Sequence, residues 1–420
     1  MEIKEFVYND IPIVVINTSK FKTIVGKLYF KEKIKKEMML TRRMVRNLLM
    51  HSSLKYPSSE KLNMNVLENY NPSYNASTMR EGNYMINCFS FNILEDKYTE
   101  SGNFNKALDT FKEIVFNPNA LNGEFDSGEY NLMYKSLEGY LKSKIERPRN
   151  YVIDELCRRL GSESPISYIP EEEDLKKTTK KSLYKDYEEM INNSQKKLII
   201  AGNITDDVYD SCKSILDNLK QKDFDYPLII ENDISSKVED EIEKYNGLQS
   251  ILSVGLKLDK LTMFERLYVV PLYNGILGGG ASSRLFDVIR EKNSLAYFCF
   301  SRYERDDSLI YILSGIEKDN YEKTYDLMKK VLASMKKVKE EEIKRVKEEI
   351  ISSLKESDDY LSSYPGSYYF NQLYGISSKK ELIENINKVT KSDIEKIYNK
   401  LHLSNSYFLK GVGNNEEDKN

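Results

Sequence analysis

Apolar positions recur along this chain in two periods. The runs 23-TIVGKLYF-30, 84-YMINCFSFNI-93, 250-SILSVGLKL-258 and 309-LIYILSGI-316 are short, and they are rich in β-branched and aromatic residues. That composition and length predict strands. In 36-KEMMLTRRMVRNLLMHSS-53 and 263-MFERLYVVPLYNGIL-277 the apolar residues instead return every three or four positions. Such a stripe predicts a helix laying one face on a core.

The order of these elements comes twice. Strands lead to a striped helix, then to a short helix, alternating strands, long charged helices and a last strand. Sliding the chain along itself by 211 residues sets 179-TKKSLYKDY-187 on 390-TKSDIEKIY-398 and 194-SQKKLIIAGN-203 on 405-NSYFLKGVGN-414. An offset of 223 sets 58-SSEKLNMNVLENYNPSYNASTMREG-82 on 281-ASSRLFDVIREKNSLAYFCFSRYER-305, with Tyr74 falling on Tyr297. Matches in a constant order, each weak alone, mark an internal repeat. The predicted fold is α+β: two tandem homologous domains, each a mostly antiparallel sheet with helices on one face. Their expected bounds are 1–216 and 249–420, joined by a charged linker over 217–248 that packs partway along its length, with 413–420 frayed.

Composition narrows the function classes. With 420 residues, 40% of them apolar, each domain can bury a core of its own. Lys and Arg number 63 against 66 Asp and Glu, so no overall positive field is available for a nucleic-acid backbone. MEIKEFVYNDIPIVV places charges where a signal peptide needs an apolar stretch, and no run approaches the roughly 20 apolar residues of a membrane span. A cytoplasmic location is expected. Cys88, Cys157, Cys212 and Cys299 lie in apolar segments without C-x-x-C spacing, which predicts reduced core thiols.

Little of the usual active-site vocabulary is present. The glycine run 275-GILGGGASSRL-285 lacks the Lys-Ser/Thr of a phosphate loop. Two readings remain for it: a tight loop into a helix capped by Ser282 or Ser283, or backbone left open for an extended peptide. The only histidines, His51 and His402, have no second His or Cys at ligand spacing. The acidic stretch 171-EEED-174 reads as a solvated loop, and 364-YPGSYYFNQLYG-375 as aromatic packing or a ligand-stacking surface. Arg290, at the end of a predicted helix, and Tyr297, on the strand after it, have an ordinary reading as a solvated helix end and a half-buried strand residue.

The stretch 278-GGGASSRLFDVIREKNSLAYFCFS-301 nevertheless resembles the second-domain signature of the pitrilysin/insulinase family of zinc peptidases. A Gly-rich loop, Gly278, Gly279 and Gly280, is followed by Ser-Arg-Leu-Phe, then Arg-Glu-Lys, then Leu-Ala-Tyr. The resemblance implies tandem α+β domains that form half of a clam-shell chamber. It also implies a zinc helix, H-x-x-E-H, near the start of the first domain. Counting back from 55-KYPSS-59 puts Arg43, Arg46 and Asn47 on that motif's positions, and Glu138 near the third ligand's place. Guanidinium groups donate hydrogen bonds and cannot ligate zinc.

The resemblance therefore implies a non-catalytic partner of the bacterial two-subunit kind, with no cofactor of its own. Zinc would be carried by a partner subunit bearing H-x-x-E-H, and Arg290 and Tyr297 would complete that partner's site over an extended peptide substrate. A non-proteolytic peptide-binding or scaffold homodimer is the alternative.

Overall fold

A computed structural model describes residues 2–160, 164–231 and 239–413. The first sheet has six strands: β1 (Glu2–Tyr8), β2 (Ile11–Asn17), β3 (Thr23–Lys33), β4 (Ser73–Glu81), β5 (Tyr84–Leu94) and, after a two-stranded hairpin of β6 (Ala120–Leu121) and β7 (Glu124–Phe125), β8 (Gln195–Gly202). Their spatial order is β1-β2-β8-β3-β5-β4. The second sheet is built from β9 (Glu239–Tyr245), β10 (Ser250–Leu258), β11 (Ala296–Glu304), β12 (Leu309–Ile316) and β13 (Leu401–Gly411), in the order β11-β12-β10-β13-β9.

The two sheets have the same wiring. β2 pairs parallel with β8 as β9 does with β13, and every other pairing in either sheet is antiparallel. Shifted by 223 residues, β4 falls on β11 end to end. Thr179 and Thr390, which the other offset superposes, each accept a hydrogen bond from the backbone three residues on and open a helix with a capping box. The α+β design is thus made twice. The stretch 217–248, expected as a linker, carries β9, which holds in the second sheet the place that β2 holds in the first.

Burial follows the helical and strand periods. In the helix Met38–His51, Leu40, Met44, Val45, Leu48 and Leu49 are buried and meet Leu28 and Phe30 of β3 and Phe89 and Phe91 of β5. Full burial of a side chain of that size contributes about 1.5–3 kcal/mol. Arg42, on the same helix, is also wholly buried. It makes two bonds to Glu32, at 2.7 and 2.8 Å, and one to Asp186 at 3.2 Å, so the charges compensate one another.

The compact units do not follow the chain order. The first runs to Leu141 and resumes over Pro170–Pro227 and Lys355–Ser378; the second takes Lys142–Ile169, Leu228–Leu354 and the chain from Lys379 onward. Each unit therefore includes one helical segment from the other half. In the second unit, the helix Pro148–Leu160 lays Val152 against Ile251, Leu313 and Tyr407. In the first, the helix Ser363–Leu373 covers the sheet face opposite Met38–His51, with Tyr369 stacked on Tyr29 at 3.9 Å between ring centres. The tyrosine-rich run is thus packing here. Glu171–Asp174 is not a loop: Glu171 caps the short helix Glu172–Lys176, whose first turn carries the other acids. All four cysteines are buried and free.

Candidate functional site

The helix Met38–His51 carries Arg43, Arg46 and Asn47, the residues that the resemblance sets on the zinc-motif positions. Its buried stripe leaves Arg43 exposed and Arg46 and Asn47 half-buried at its margin. Arg46 donates from Nε and Nη2 to the Asn47 side-chain oxygen, at 3.2 and 2.9 Å. Burial, and after it the neighbouring charge of Arg43, lower the Arg46 pKa. The one oxygen among these three side chains is thereby consumed by a guanidinium. The residues do not fit a zinc ion.

A cavity of about 440 Å³ lies between this helix and the helix Ser127–Lys142, lined by Asn47, His51, Glu129, Met133 and Ser136 among others. His51 Nδ1 stands 2.6 Å from Glu129 Oε2. Glu138, the acid nearest the third-ligand place by sequence, does not line the cavity, whereas Glu129 does. Among the described residues no group of three or more His, Cys, Asp or Glu is placed to hold a metal.

In the second unit the glycine loop ends the helix Val270–Leu277 and leads into the π-helical turn Phe286–Lys292. Gly278 is required by close approach: a Cβ there would stand 2.5 Å from the Ser301 backbone nitrogen of β11. The Gly278 carbonyl accepts from that nitrogen at 2.9 Å, and the amides of Gly278 and Gly279 both donate to the Asn274 carbonyl. Gly280 has open space where its Cβ would be. Ser283 precedes the helical turn, but its buried hydroxyl has no partner among the described residues. Arg284 anchors the loop instead, with bonds to Glu342 at 2.6 and 2.8 Å and to the carbonyls of Ser334 and Lys337.

Arg290 and Tyr297 lie on consecutive elements, and neither side chain bonds the other. The Arg290 guanidinium sits over the Phe286 ring, 4.7 Å from its centre, with Glu291 at 3.7 Å. Tyr297 is on β11, the edge strand, at a bulge: Ala296 faces Ile316 and Phe298 faces Gly315, so Tyr297 has no partner of its own. Such an insertion re-aims a side chain, and Tyr297 is 61% exposed. Its hydroxyl donates to Glu317, which, through that bond first and its charge second, raises the phenol pKa above 10.0. Tyr297 is therefore a neutral donor at ordinary pH.

Sequence reasoning missed Glu317, Glu129 and the anchoring part of Arg284. Glu317 directly follows β12, so its nearness to Tyr297 was implicit in the hairpin. Glu129 and Arg284 carried no such signal, because their partners come from distant helices.

Two α+β repeats, one with an exposed edge-strand tyrosine beside a glycine loop and the other with two arginines and an asparagine at the expected zinc-motif positions, define a tandem peptidase-like fold. The model of the peptidase M16 inactive domain matches residues 177–350. Over 95% of both chains the sequence is 26% identical to the probable inactive metalloprotease YmfF of Bacillus subtilis. It is 24% identical to the uncharacterized zinc protease YmxG of the same organism, over 77% of this chain and 76% of that one. The crystal structure of a conserved protein from Enterococcus faecalis V583 is similar with a TM-score of 0.90 and 25% identity, covering 99% of this chain and all of the other. Its similarity, in sequence and in fold, is thus to inactive members of the M16 peptidases, the pitrilysin/insulinase family. Among the described residues no helix is long and apolar enough to cross a membrane.

Proposed function

We propose that the chain is the non-catalytic subunit of a cytoplasmic bacterial heterodimeric zinc peptidase. A zinc-bearing H-x-x-E-H subunit of the same family would be its partner, and Arg290 and Tyr297 would complete that partner's site over an extended peptide. The observation that carries this reading is the contrast between the two units. The motif helix offers Arg43, Arg46 and Asn47 where ligands belong, whereas Tyr297 is a neutral, exposed hydroxyl donor on an edge strand. Peptide-bond attack places negative charge on the carbonyl oxygen, and a positioned donor stabilises it. The outer side of β11 has no strand partner among the described residues, which suits addition of an extended peptide.

The Tyr297 proton is presently given to Glu317, so binding a carbonyl requires the hydroxyl to turn from one acceptor to the other. That engagement favours the competing reading, a non-proteolytic peptide-binding or scaffold homodimer. Affinity purification from the native cell separates the two. Recovery of a chain bearing H-x-x-E-H in equal amount supports the heterodimer, and recovery of this chain alone as a dimer supports the scaffold.

A further inference from the structure

The first unit has a second cavity, of about 460 Å³, on the sheet face opposite the motif helix and beneath the helix Ser363–Leu373. Lys31 of β3 and Lys196 and Lys197 of β8 line it, with Asp10 and Asp223 as the acids. Lys196 is already satisfied: its ammonium donates to the carbonyls of Ser194 and Lys220, both at 2.8 Å. Lys31 and Lys197 are not. Among the described residues neither forms an ion pair. Lys31 lies over the Tyr84 ring at 4.5 Å and farther from Phe224, at 5.8 Å. The Lys197 ammonium donates only to the neutral side-chain oxygen of Gln372. Asp223 accepts instead from Gln195, at 3.4 Å.

Half-buried ammonium groups without an ion pair, facing the more distant carboxylates of Asp225 for Lys31 and Glu5 for Lys197, carry a desolvation cost that an anion would offset. Aromatic faces around Lys31 keep its charged form favourable without supplying an opposite charge. Burial holds both amines below the usual lysine range, opposed by the charge of Asp225 at Lys31 and of Glu5 at Lys197, where the nearby charge of Lys31 adds to the lowering.

We propose that this cavity binds a compact oxyanion, a carboxylate or a phosphate, between Lys31 and Lys197. The inference goes beyond the subunit reading and holds whether or not a partner chain exists. Its test is calorimetric titration of the full-length protein with inorganic phosphate and, separately, with a short peptide ending in a free carboxylate and with the same peptide ending in an amide. Binding of phosphate alone points to a free anion as the source. Binding of the free-carboxylate peptide and not of its amide points to a chain terminus. In either case affinity should fall tenfold or more in Lys31→Gln and in Lys197→Gln and persist in Lys197→Arg.

A measurement on the unaltered protein guards against misfolded variants: the bound anion should slow acetylation of Lys31 and Lys197, read by mass spectrometry. Absence of binding by all three titrants, unchanged affinity in folded Gln variants, or acetylation of both lysines unaffected by a saturating anion would overturn the proposal.

Discussion

Tyr74 and Tyr297 occupy the same place on the edge strands of the two sheets, yet only Tyr297 is turned outward. Tyr74 pairs in register with Phe91, packs near Phe111 and donates to the Ala107 carbonyl at 2.6 Å. At Tyr297 the register slips, and the hydroxyl reaches Glu317 at the surface. One extra residue in the ladder separates a core tyrosine from an available one.

If Tyr297 completes a partner's site, Tyr297→Phe should leave assembly intact and lower peptide cleavage by the reconstituted pair roughly 10²–10³-fold, the usual cost of losing one such donor. Arg290→Ala should reduce cleavage as well. Rates equal to wild type in both variants would sink the completing role.

Glu317→Gln should bring the Tyr297 phenol back toward 10.0, because the hydrogen bond and charge that raise it are removed. Carbon-13 labelling of tyrosine, with Tyr297→Phe to assign the signal, reads this directly. An unchanged titration would mean that Glu317 does not hold the hydroxyl in solution.

Arg42→Ala removes the guanidinium that pairs with both Glu32 and Asp186. Breaking a buried pair in this way costs about 3–5 kcal/mol. The urea midpoint of the first unit should fall accordingly, and Glu32→Gln added to Arg42→Ala should recover part of the loss.

Lys196 is buried, and desolvation lowers its pKa from 10.5 to about 8. Below pH 8 the ammonium is charged in the folded and unfolded chain alike, and the cost of burying it is fully present. Between about 8 and 10.5 the unfolded chain holds the extra proton, so stability rises with pH. Thermal midpoints measured across that window should climb in the wild type and stay flatter in Lys196→Met.

Gly278→Ala forces a methyl group against the Ser301 nitrogen and should cost about 1–3 kcal/mol, an overpacking effect. Gly280→Ala, where the space is open, should be close to neutral in the same thermal melt.

Much of this was legible in the sequence. The strand and helix periods predicted the paired α+β halves, since burying one face of each element imposes those spacings on the residues. Chemistry at single positions was legible too: arginine cannot ligate zinc wherever it stands, so Arg43 and Arg46 offer a metal no ligand, as their residue type alone tells. Contacts between distant segments were not. The helices Pro148–Leu160 and Ser363–Leu373 have stripes that any apolar surface could satisfy, and only the tertiary structure assigns each to the unit formed mainly by the other half. It alone joins Arg46 to Asn47, places Glu129 rather than Glu138 beside His51, and leaves Lys31 and Lys197 without an ion pair among the described residues. The direction of Tyr297 belongs with these, because a one-residue slip in a strand pairing reverses a side chain and leaves no mark on the composition of the strand that carries it.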